Sequence, residues 1–139
     1  MMAFLLDTNV ISEIRKSSPN PHVRAWYRQQ SAAEAYVSSL ALGEIRQGIE
    51  LVRPRDVKQA EGLERWLDGL LVAYRDRILP VTTEVAQAWG RLNASNRPVP
   101  IIDGLMVATA VVHRLTFVTR NVADVARTGV PVLNPFEEP

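Results

Sequence analysis

The sequence predicts an α/β fold in which a parallel β-sheet is covered by helices on both faces. Short apolar runs, typical of strands, alternate along the chain with longer segments whose apolar residues recur at helical spacing. Strands that alternate with helices in this way form parallel sheets, because each crossover helix returns the chain to the same edge. The 139 residues are 47% hydrophobic and 22% charged, a balance typical of one globular core. We therefore expect residues 1–139 to form a single domain.

The first predicted unit is a strand followed by a helix. The apolar run at residues 3–6 predicts a buried strand, and the turn-forming residues Asp7, Thr8 and Asn9 end it. A helix is then expected over about residues 10–16. Pro21 suits the first turn of a second helix, which runs to about residue 29.

A second strand is predicted at residues 35–37, and helices follow it. Ser38 and Ser39 are candidate N-caps for the next helix, whose apolar positions are Leu40, Leu42, Ile45 and Ile49. A helical hairpin is expected across residues 54–74, with an apolar stripe formed by Leu63, Trp66, Leu67, Leu70 and Leu71. Because this stripe is larger than a thin covering layer needs, we expect the protein to form a symmetric homodimer.

Three further strands are predicted in the second half of the chain. Thr82 or Thr83 caps a helix that ends near Ala94, and Pro100 opens another helix. In chain order, the expected elements are a strand at 78–81, a helix to about 94, a proline-rich loop at 96–100, a helix at 101–113, a strand at 116–119, a short helix at 122–127 and a strand at 130–133.

Four acidic residues occupy equivalent positions in these units. Asp7 and Asp124 follow predicted strands, while Glu44 and Asp103 lie in the opening turns of predicted helices. In right-handed strand-helix-strand units, the carboxyl ends of strands and the amino ends of the following helices lie at one edge of the sheet. We therefore expect all four carboxylates to face one crevice.

Each acid also has a purely structural interpretation. Asp7 is suited to a turn that leads into a helix, and Asp124 could pair with Asn121 in helix capping. Asp103 could complement the positive end of its helix, although an unpaired carboxylate among apolar neighbours is costly. Glu44 could be an ordinary exposed helix residue.

A cluster of carboxylates points to a hard divalent cation. Neighbouring carboxylates repel one another, which raises pKa values and disfavours the empty site. The sequence has no cysteine, and His22 and His113 lie away from the four acids, so Mg²⁺ or Mn²⁺ is expected and not Zn²⁺. Such an ion can supply an attacking hydroxide and stabilise a pentavalent phosphate, which predicts phosphodiester hydrolysis. Supporting polar residues are expected to be Thr8, Asn9, Thr119 and Asn121.

The charge balance excludes a global attraction to nucleic acid or anionic membrane. Sixteen basic residues oppose fifteen acidic ones, for a formal net charge of +1. Any nucleic-acid contact is therefore local, and the arginines near the predicted crevice are Arg15, Arg46, Arg97 and Arg120. A role as phosphate contacts and a role as solvated surface are both open for each of them.

The amino-terminal segment and the cysteine content bear on location. The apolar start at residues 1–6 is cut short by Asp7 and has no basic leader, so neither a signal peptide nor a membrane span is expected. The lack of cysteine excludes disulfides and thiolate metal sites. A cytoplasmic location fits these features.

Four sequence segments together resemble the PIN-domain superfamily, in particular the VapC-type and FitB-like toxins of bacterial type II toxin-antitoxin systems. They are LLDTNVISEI, SSLALGEIRQGIE, IIDGLMVATAVVH and FVTRNVADVARTGVPVLNPFE, and they occur in the family's order from about residue 3 to residue 136. The resemblance implies a PIN-like three-layer α/β/α sandwich with a five-stranded parallel sheet. It also implies Mg²⁺-dependent endoribonuclease activity on RNA, a homodimer and a cognate antitoxin whose amino-terminal part binds DNA.

The resemblance also implies roles for individual residues. The invariant acids of the family correspond to Asp7, Glu44 and Asp103, its fourth acid to Asp124, and its small hydroxyl residue after the fourth strand to Thr119. Val125 replaces the aromatic residue that often follows the fourth acid, which is a packing change only.

Two other functions compete with hydrolysis of RNA. A phosphotransferase with an Asp nucleophile after its first strand needs a second acid two residues later, where this chain has Asn9, and a later lysine, whereas Lys58 is the last one. The other alternative is a catalytically silent PIN-like module that binds a partner protein or nucleic acid. Metal-dependent cleavage of generic RNA distinguishes the module from an enzyme.

Overall fold

The computed structural model describes residues 2–94 and 98–137. Within these ranges the strands are β1 (Phe4–Leu6), β2 (Ala35–Ser38), β3 (Ile78–Leu79), β4 (Thr116–Val118) and β5 (Val132–Leu133). The helices are α1 (Thr8–Arg15), α2 (Pro21–Gln29), α3 (Ser39–Val52), α4 (Val57–Ala73), α5 (Thr83–Asn93), α6 (Ile101–His113) and α7 (Val122–Val125), with short 3₁₀ turns at Ala32–Glu34 and Ala126–Thr128. The predicted alternation of strands and helices is confirmed.

All strands form one parallel sheet in the order β3-β2-β1-β4-β5. Strand β1 lies at the centre, with Leu6 paired to Val37 on one side and to Val118 on the other. The chain winds from β1 outward through β2 and β3, and then crosses to β4 and β5 on the opposite side. Ligands bind open parallel sheets where the winding direction reverses, and here that point lies between β1 and β4.

The central strands are buried on both faces, as a covered parallel sheet requires. Every residue of β1 is buried, and Leu5 is fully inaccessible. Helical side chains complete the core from both sides, including Val10, Ile45, Ile49, Leu67, Met106 and Val107. The predicted α/β/α arrangement of layers is therefore present.

Polar caps set the starts of several helices. The Ser38 hydroxyl accepts from the Leu40 amide, and the Thr82 hydroxyl accepts from the Val85 amide. Ser38 and Thr82 are therefore the N-caps, and not Ser39 and Thr83. Asn20 accepts from the amides of His22 and Val23 at the start of α2. These contacts satisfy amide groups that have no partner within the helix.

Several predicted boundaries were wrong by one or two residues. Helix α1 begins at Thr8 because Asp7 caps it. Strand β3 ends at Leu79, because the following Pro80 has no amide to continue the ladder. Strand β4 ends at Val118 and β5 begins at Val132.

Two other predicted elements also differ from the structure. The segment predicted as a hairpin at 54–74 contains the single helix α4, whose antiparallel partner is α3. The predicted helix at 122–127 is α7 followed by a 3₁₀ turn, which ends at Gly129 with φ +81°. Of the predicted 96–100 loop, residues 96 and 97 lie outside the described residues, and 98–100 belong to no helix or strand.

The apolar stripe of α4 packs mainly within the chain. Leu67 is buried, and the partly buried Leu63, Trp66 and Leu70 pack against the main core. Leu71 is 41% exposed and does not share this packing. The homodimer expected from this stripe therefore stays a prediction that rests on less free apolar surface.

None of the helices within the described ranges is both long enough and apolar enough to cross a membrane.

Candidate active site

Asp7 lies at the carboxyl end of β1, next to the point where the winding of the sheet reverses. Its amide donates to the carbonyl of Val118, which places it against the end of β4. The carboxylate is buried, with 6% of the residue exposed, and its Oδ1 accepts from the Thr8 amide at 2.7 Å. Asp7 therefore does cap α1, as the structural interpretation required.

The second oxygen of Asp7 has partners that capping does not need. The hydroxyl of Thr119 donates to Oδ2 at 2.7 Å, and Nδ2 of Asn9 donates to the same oxygen at 3.1 Å. Thr119 is fully buried and follows β4, so this contact joins two neighbouring strand ends. The carboxylate is thus held in one orientation from several sides.

Opposing effects set the pKa of Asp7. Burial, the largest effect, raises the pKa, while hydrogen bonds from Thr119 and the Thr8 amide lower it. The negative charge of Glu44 raises it again, and the net result is a pKa above the usual value of an aspartate. Asp7 therefore lies near a second carboxylate and resists ionisation without a cation.

Glu44 is not an ordinary exposed helix residue. It lies in the second turn of α3, is half-buried, and its Oε1 accepts from the hydroxyl of Thr8 at 2.6 Å. Thr8 contributes its amide to Asp7 and its hydroxyl to Glu44, so a single residue connects the two acids.

The negative charges of the other three acids act on Asp103. It lies in the first turn of α6 and is half-buried. Burial is the main cause of its raised pKa, and the negative charges of Asp7, Glu44 and Asp124 raise it further, in that order. The other three predicted acids therefore lie close enough to Asp103 for their charges to act on its carboxyl group.

Asp124 is the most exposed of the four acids. It lies in the short helix α7, and the side chain of Asn121 makes no capping hydrogen bond to that helix. The proposed pairing of Asn121 and Asp124 in capping is therefore wrong. Asn121 contributes through its amide, which donates to the hydroxyl of Thr119 at 3.1 Å.

The acids surround the crevice without meeting at one point. Among residues 2–94 and 98–137, no three His, Cys, Asp or Glu side chains are arranged closely enough to hold a metal ion. The donor set nevertheless fits a hard divalent cation, because it offers carboxylate oxygens whose mutual repulsion raises the pKa values of Asp7 and Asp103. Ligation of one ion by three of these acids would require movement of their side chains.

The four arginines near the crevice in sequence have different surroundings. Arg46 forms ion pairs with Glu50 and Glu64, which connect α3 to α4. Arg120 lies over the ring of Phe136, 4.7 Å from its centroid. Arg15 lies over Trp66 on the side of the crevice near Glu44, and Arg97 lies outside the described residues.

Sequence reasoning missed the packing that positions Asp103. A Cβ added to Gly104 would lie 3.0 Å from both Trp89 Cδ1 and Val99 Cγ2. Gly104 therefore lets α6 approach the Trp89 ring of α5 immediately beside the acid. A glycine directly after an acid in an otherwise apolar helix is the signal that could have indicated this contact.

Comparison with known proteins gives a consistent result. The family model described as PIN domain matches residues 4–129. The chain is 34% identical to the plasmid stability protein StbB of Pseudomonas syringae pv. tomato, covering 96% of this chain and 98% of the relative. It is 32% identical to the toxin FitB of Neisseria gonorrhoeae, with 96% and 99% covered. It is 31% identical to the VapC ribonuclease Y4jK of Sinorhizobium fredii, with 96% and 97% covered.

A solved structure extends this likeness to the fold. The chain superposes on a chain of the structure of FitAB bound to the IR36 DNA fragment with a TM-score of 0.90 and 30% identity. The match covers 98% of this chain and 97% of that chain.

Proposed function

This chain belongs to the PIN-domain family, and on that basis we propose that it is a metal-dependent endoribonuclease and the toxin of a type II toxin-antitoxin pair. The observation that carries the proposal is the juxtaposition of acids at the switch point of the sheet: Thr8 donates hydrogen bonds to both Asp7 and Glu44, and the charges of the other acids raise the pKa of Asp103. Carboxylates held close together at the switch point of a parallel sheet repel one another and destabilise the fold, and a bound cation removes that repulsion.

Asp7, Glu44, Asp103 and Asp124 are the residues that would hold the ion. Mg²⁺ is the ion that oxygen-only ligands favour, and Mn²⁺ is a possible substitute. When bound, such an ion supplies a nucleophilic hydroxide and stabilises charge that develops on the phosphate.

The surrounding polar residues prepare the carboxylates for this task. Thr119 and Asn9 fix one oxygen of Asp7, while Thr8 restrains Asp7 and Glu44 together. Asp103 and Asp124 are more exposed than Asp7, so their side chains are free to move toward an ion. Hydrogen bonds that orient ligands in this way raise affinity for a metal and fix its position.

The relatives support the choice of RNA and of a protein partner. Y4jK is named as a VapC ribonuclease and FitB as a toxin. We infer that this chain hydrolyses RNA phosphodiester bonds in the cytoplasm, forms a homodimer, and is restrained by a small antitoxin whose amino-terminal part binds DNA. We also propose that residues 1–139 act as one PIN domain.

A catalytically silent module that binds a partner protein or nucleic acid is the second candidate. It is favoured by the finding that the side chains in the described ranges do not form a preassembled metal cluster. A phosphotransferase is disfavoured, because the side chain at the position of its second acid is Asn9, whose amide donates to Asp7.

Cleavage of RNA by partner-free protein distinguishes these functions. We expect generic RNA to be cut with Mg²⁺ or Mn²⁺ and to stay intact with a chelator, with single-stranded DNA assayed alongside. Asp103→Asn should abolish cleavage, whereas Asp68→Asn, a change to an exposed acid on α4, should not. Intact RNA with wild-type protein and either metal would favour the silent module.

A further inference from the structure

A groove of about 220 Å³ runs from the acidic crevice between α1, α3 and α4. Thr8, Glu44, Arg15 and Trp66 are among its lining residues, and Arg15 lies about two turns along α1 from Thr8. Since Thr8 donates hydrogen bonds to both Asp7 and Glu44, the groove is continuous with the proposed catalytic site. A chain bound across the acids can therefore extend into this groove.

Arg15 is a cation without an acidic partner among the described residues. Three nearby cations do form ion pairs: Lys16 directly after α1, Arg46 on α3 and Arg53 directly after α3 each contact a glutamate. Arg15 instead lies 5.4 Å above the centroid of the Trp66 ring, and its side chain is exposed. The indole restrains the guanidinium at the groove by a cation–π contact and leaves its hydrogen-bond donors free.

Gly48 leaves open space at the wall of the groove. It lies on α3, lines the groove, and has no heavy atom within 4 Å of the place where a Cβ would be. A glycine within a helix reduces stability relative to alanine. A larger side chain at position 48 would therefore occupy free space in the groove without meeting a neighbouring atom at its Cβ.

We propose that this groove is a substrate subsite in which Arg15, positioned by Trp66, binds a backbone phosphate of single-stranded RNA next to the phosphate that is cut. The proposal rests on the proposed ribonuclease function. A guanidinium is suited to planar, paired hydrogen bonds with phosphate oxygens. Of the residues that line the groove, Arg15 carries a positive charge and Glu44 a negative one, and Arg15 is the group that can pair with a phosphate.

Binding of a labelled single-stranded RNA, measured by fluorescence anisotropy at several salt concentrations, tests the subsite. All proteins carry Asp103→Asn so that the RNA stays intact, and Mg²⁺ is present. Arg15→Ala should weaken binding by about tenfold and reduce the slope of log K against log salt by about 0.7, the value for one lost phosphate contact on a single strand. Arg15→Lys should keep the slope, because it keeps the charge, and recover only part of the affinity.

Arg65→Ala is the matched control, since Arg65 is exposed on α4 beside Trp66 in sequence but does not line the groove. It should change neither the affinity nor the slope. If Arg15→Ala has the same RNA affinity and the same salt slope as the Asp103→Asn parent, the subsite is wrong while the ribonuclease function stands. If the parent does not bind RNA and wild-type protein does not cleave it, both proposals fail; if wild-type protein cleaves RNA that the parent does not bind, the subsite alone is wrong. If Arg15→Ala weakens only a complex with a partner protein, the groove is a protein-docking site and the subsite is wrong.

Gly48→Leu provides a second test that removes no charge. Its side chain should fill the groove and weaken RNA binding at least tenfold, with a thermal midpoint no lower than that of the parent. Gly90→Leu adds the same side chain at an exposed, open position on α5 and should not affect binding. Unchanged RNA affinity for Gly48→Leu would show that substrate does not enter this groove.

Discussion

The indole of Trp89 occupies the space into which a side chain at position 104 would project. A Cβ on Gly104 would lie 3.0 Å from its Cδ1 and 3.1 Å from its Nε1. Trp89 is on α5 and Gly104 is in the first turn of α6, next to Asp103. The close approach of these helices therefore sets the position of one of the four acids.

Gly104→Ala should displace the first turn of α6. An alanine in a helix gains about 1 kcal/mol over glycine, but overpacking against Trp89 and Val99 costs about 1–3 kcal/mol. We expect a net destabilisation of about 1 kcal/mol in urea denaturation and at least tenfold slower RNA cleavage.

Gly90→Ala is the control for this substitution, because Gly90 has open space around its Cβ position. It should stabilise the protein by about 0.5–1 kcal/mol. If the two alanine variants gain equal stability, the contact between Trp89 and Gly104 does not constrain the helix.

Thr119→Val should release Asp7 from its buried donor. The substitution keeps the shape of the side chain but leaves Oδ2 of Asp7 with Asn9 alone and the Asn121 amide without its acceptor. We expect a loss of about 1–3 kcal/mol in unfolding free energy. Because the hydrogen bond lowers the pKa of Asp7, the acidic limb of the pH–rate profile should move to higher pH.

Thr119→Ser keeps the hydroxyl and should restore the acidic limb of that profile. A profile for Thr119→Val that overlays the wild-type profile would mean that Thr119 does not hold the catalytic carboxylate.

Asp103→Asn should stabilise the metal-free protein in a pH-dependent way. The pKa of Asp103 is raised in the folded state by burial and by the other acids. A raised pKa means that the folded state favours the protonated acid, so the wild-type protein loses stability as pH rises through that folded pKa.

The variant and the wild-type protein should therefore differ least below the unfolded pKa of about 3.9, and most above the folded pKa. Asp103 is partly exposed, so we expect the gain at neutral pH to be below about 1 kcal/mol. Chemical denaturation in chelator across this pH range measures it. A difference that shrinks with rising pH would contradict the assigned repulsion.

Divalent metal should stabilise the folded protein through the same acids. Binding only to the folded state adds about 2.7 kcal/mol at a metal concentration one hundred times the dissociation constant. We expect Mg²⁺ or Mn²⁺ to raise the thermal midpoint of wild-type protein and of Asp68→Asn. Asp7→Asn should abolish the rise, and an equal rise in this variant would place the metal elsewhere.

A cognate antitoxin should place a basic side chain among the four acids. Unneutralised carboxylates in a partly desolvated crevice favour charge-assisted hydrogen bonds with Arg or Lys. A pull-down from the native host, followed by the structure of the complex and an RNA cleavage assay, tests this mode of inhibition. A complex whose crevice is open and which cuts RNA at the rate of the free protein would exclude it.

The sequence by itself determined the order of the elements and the side of the sheet on which the acids lie. Apolar runs that end at turn-forming residues predicted the strands, and Ser38 and Thr82 stood among the predicted caps because capping is a local interaction. The right-handed crossover rule then placed Asp7 and Asp103 at one edge without knowledge of the strand order.

Only the tertiary structure decided which groups touch. Thr119 donates to Asp7 across 112 residues, and Trp89 lies against Gly104 because α5 and α6 approach closely. The α4 stripe likewise turned inward, with Leu71 left exposed. Such contacts depend on how helices pack onto the sheet, since packing is set by the combined shape of many side chains and not by local residue patterns.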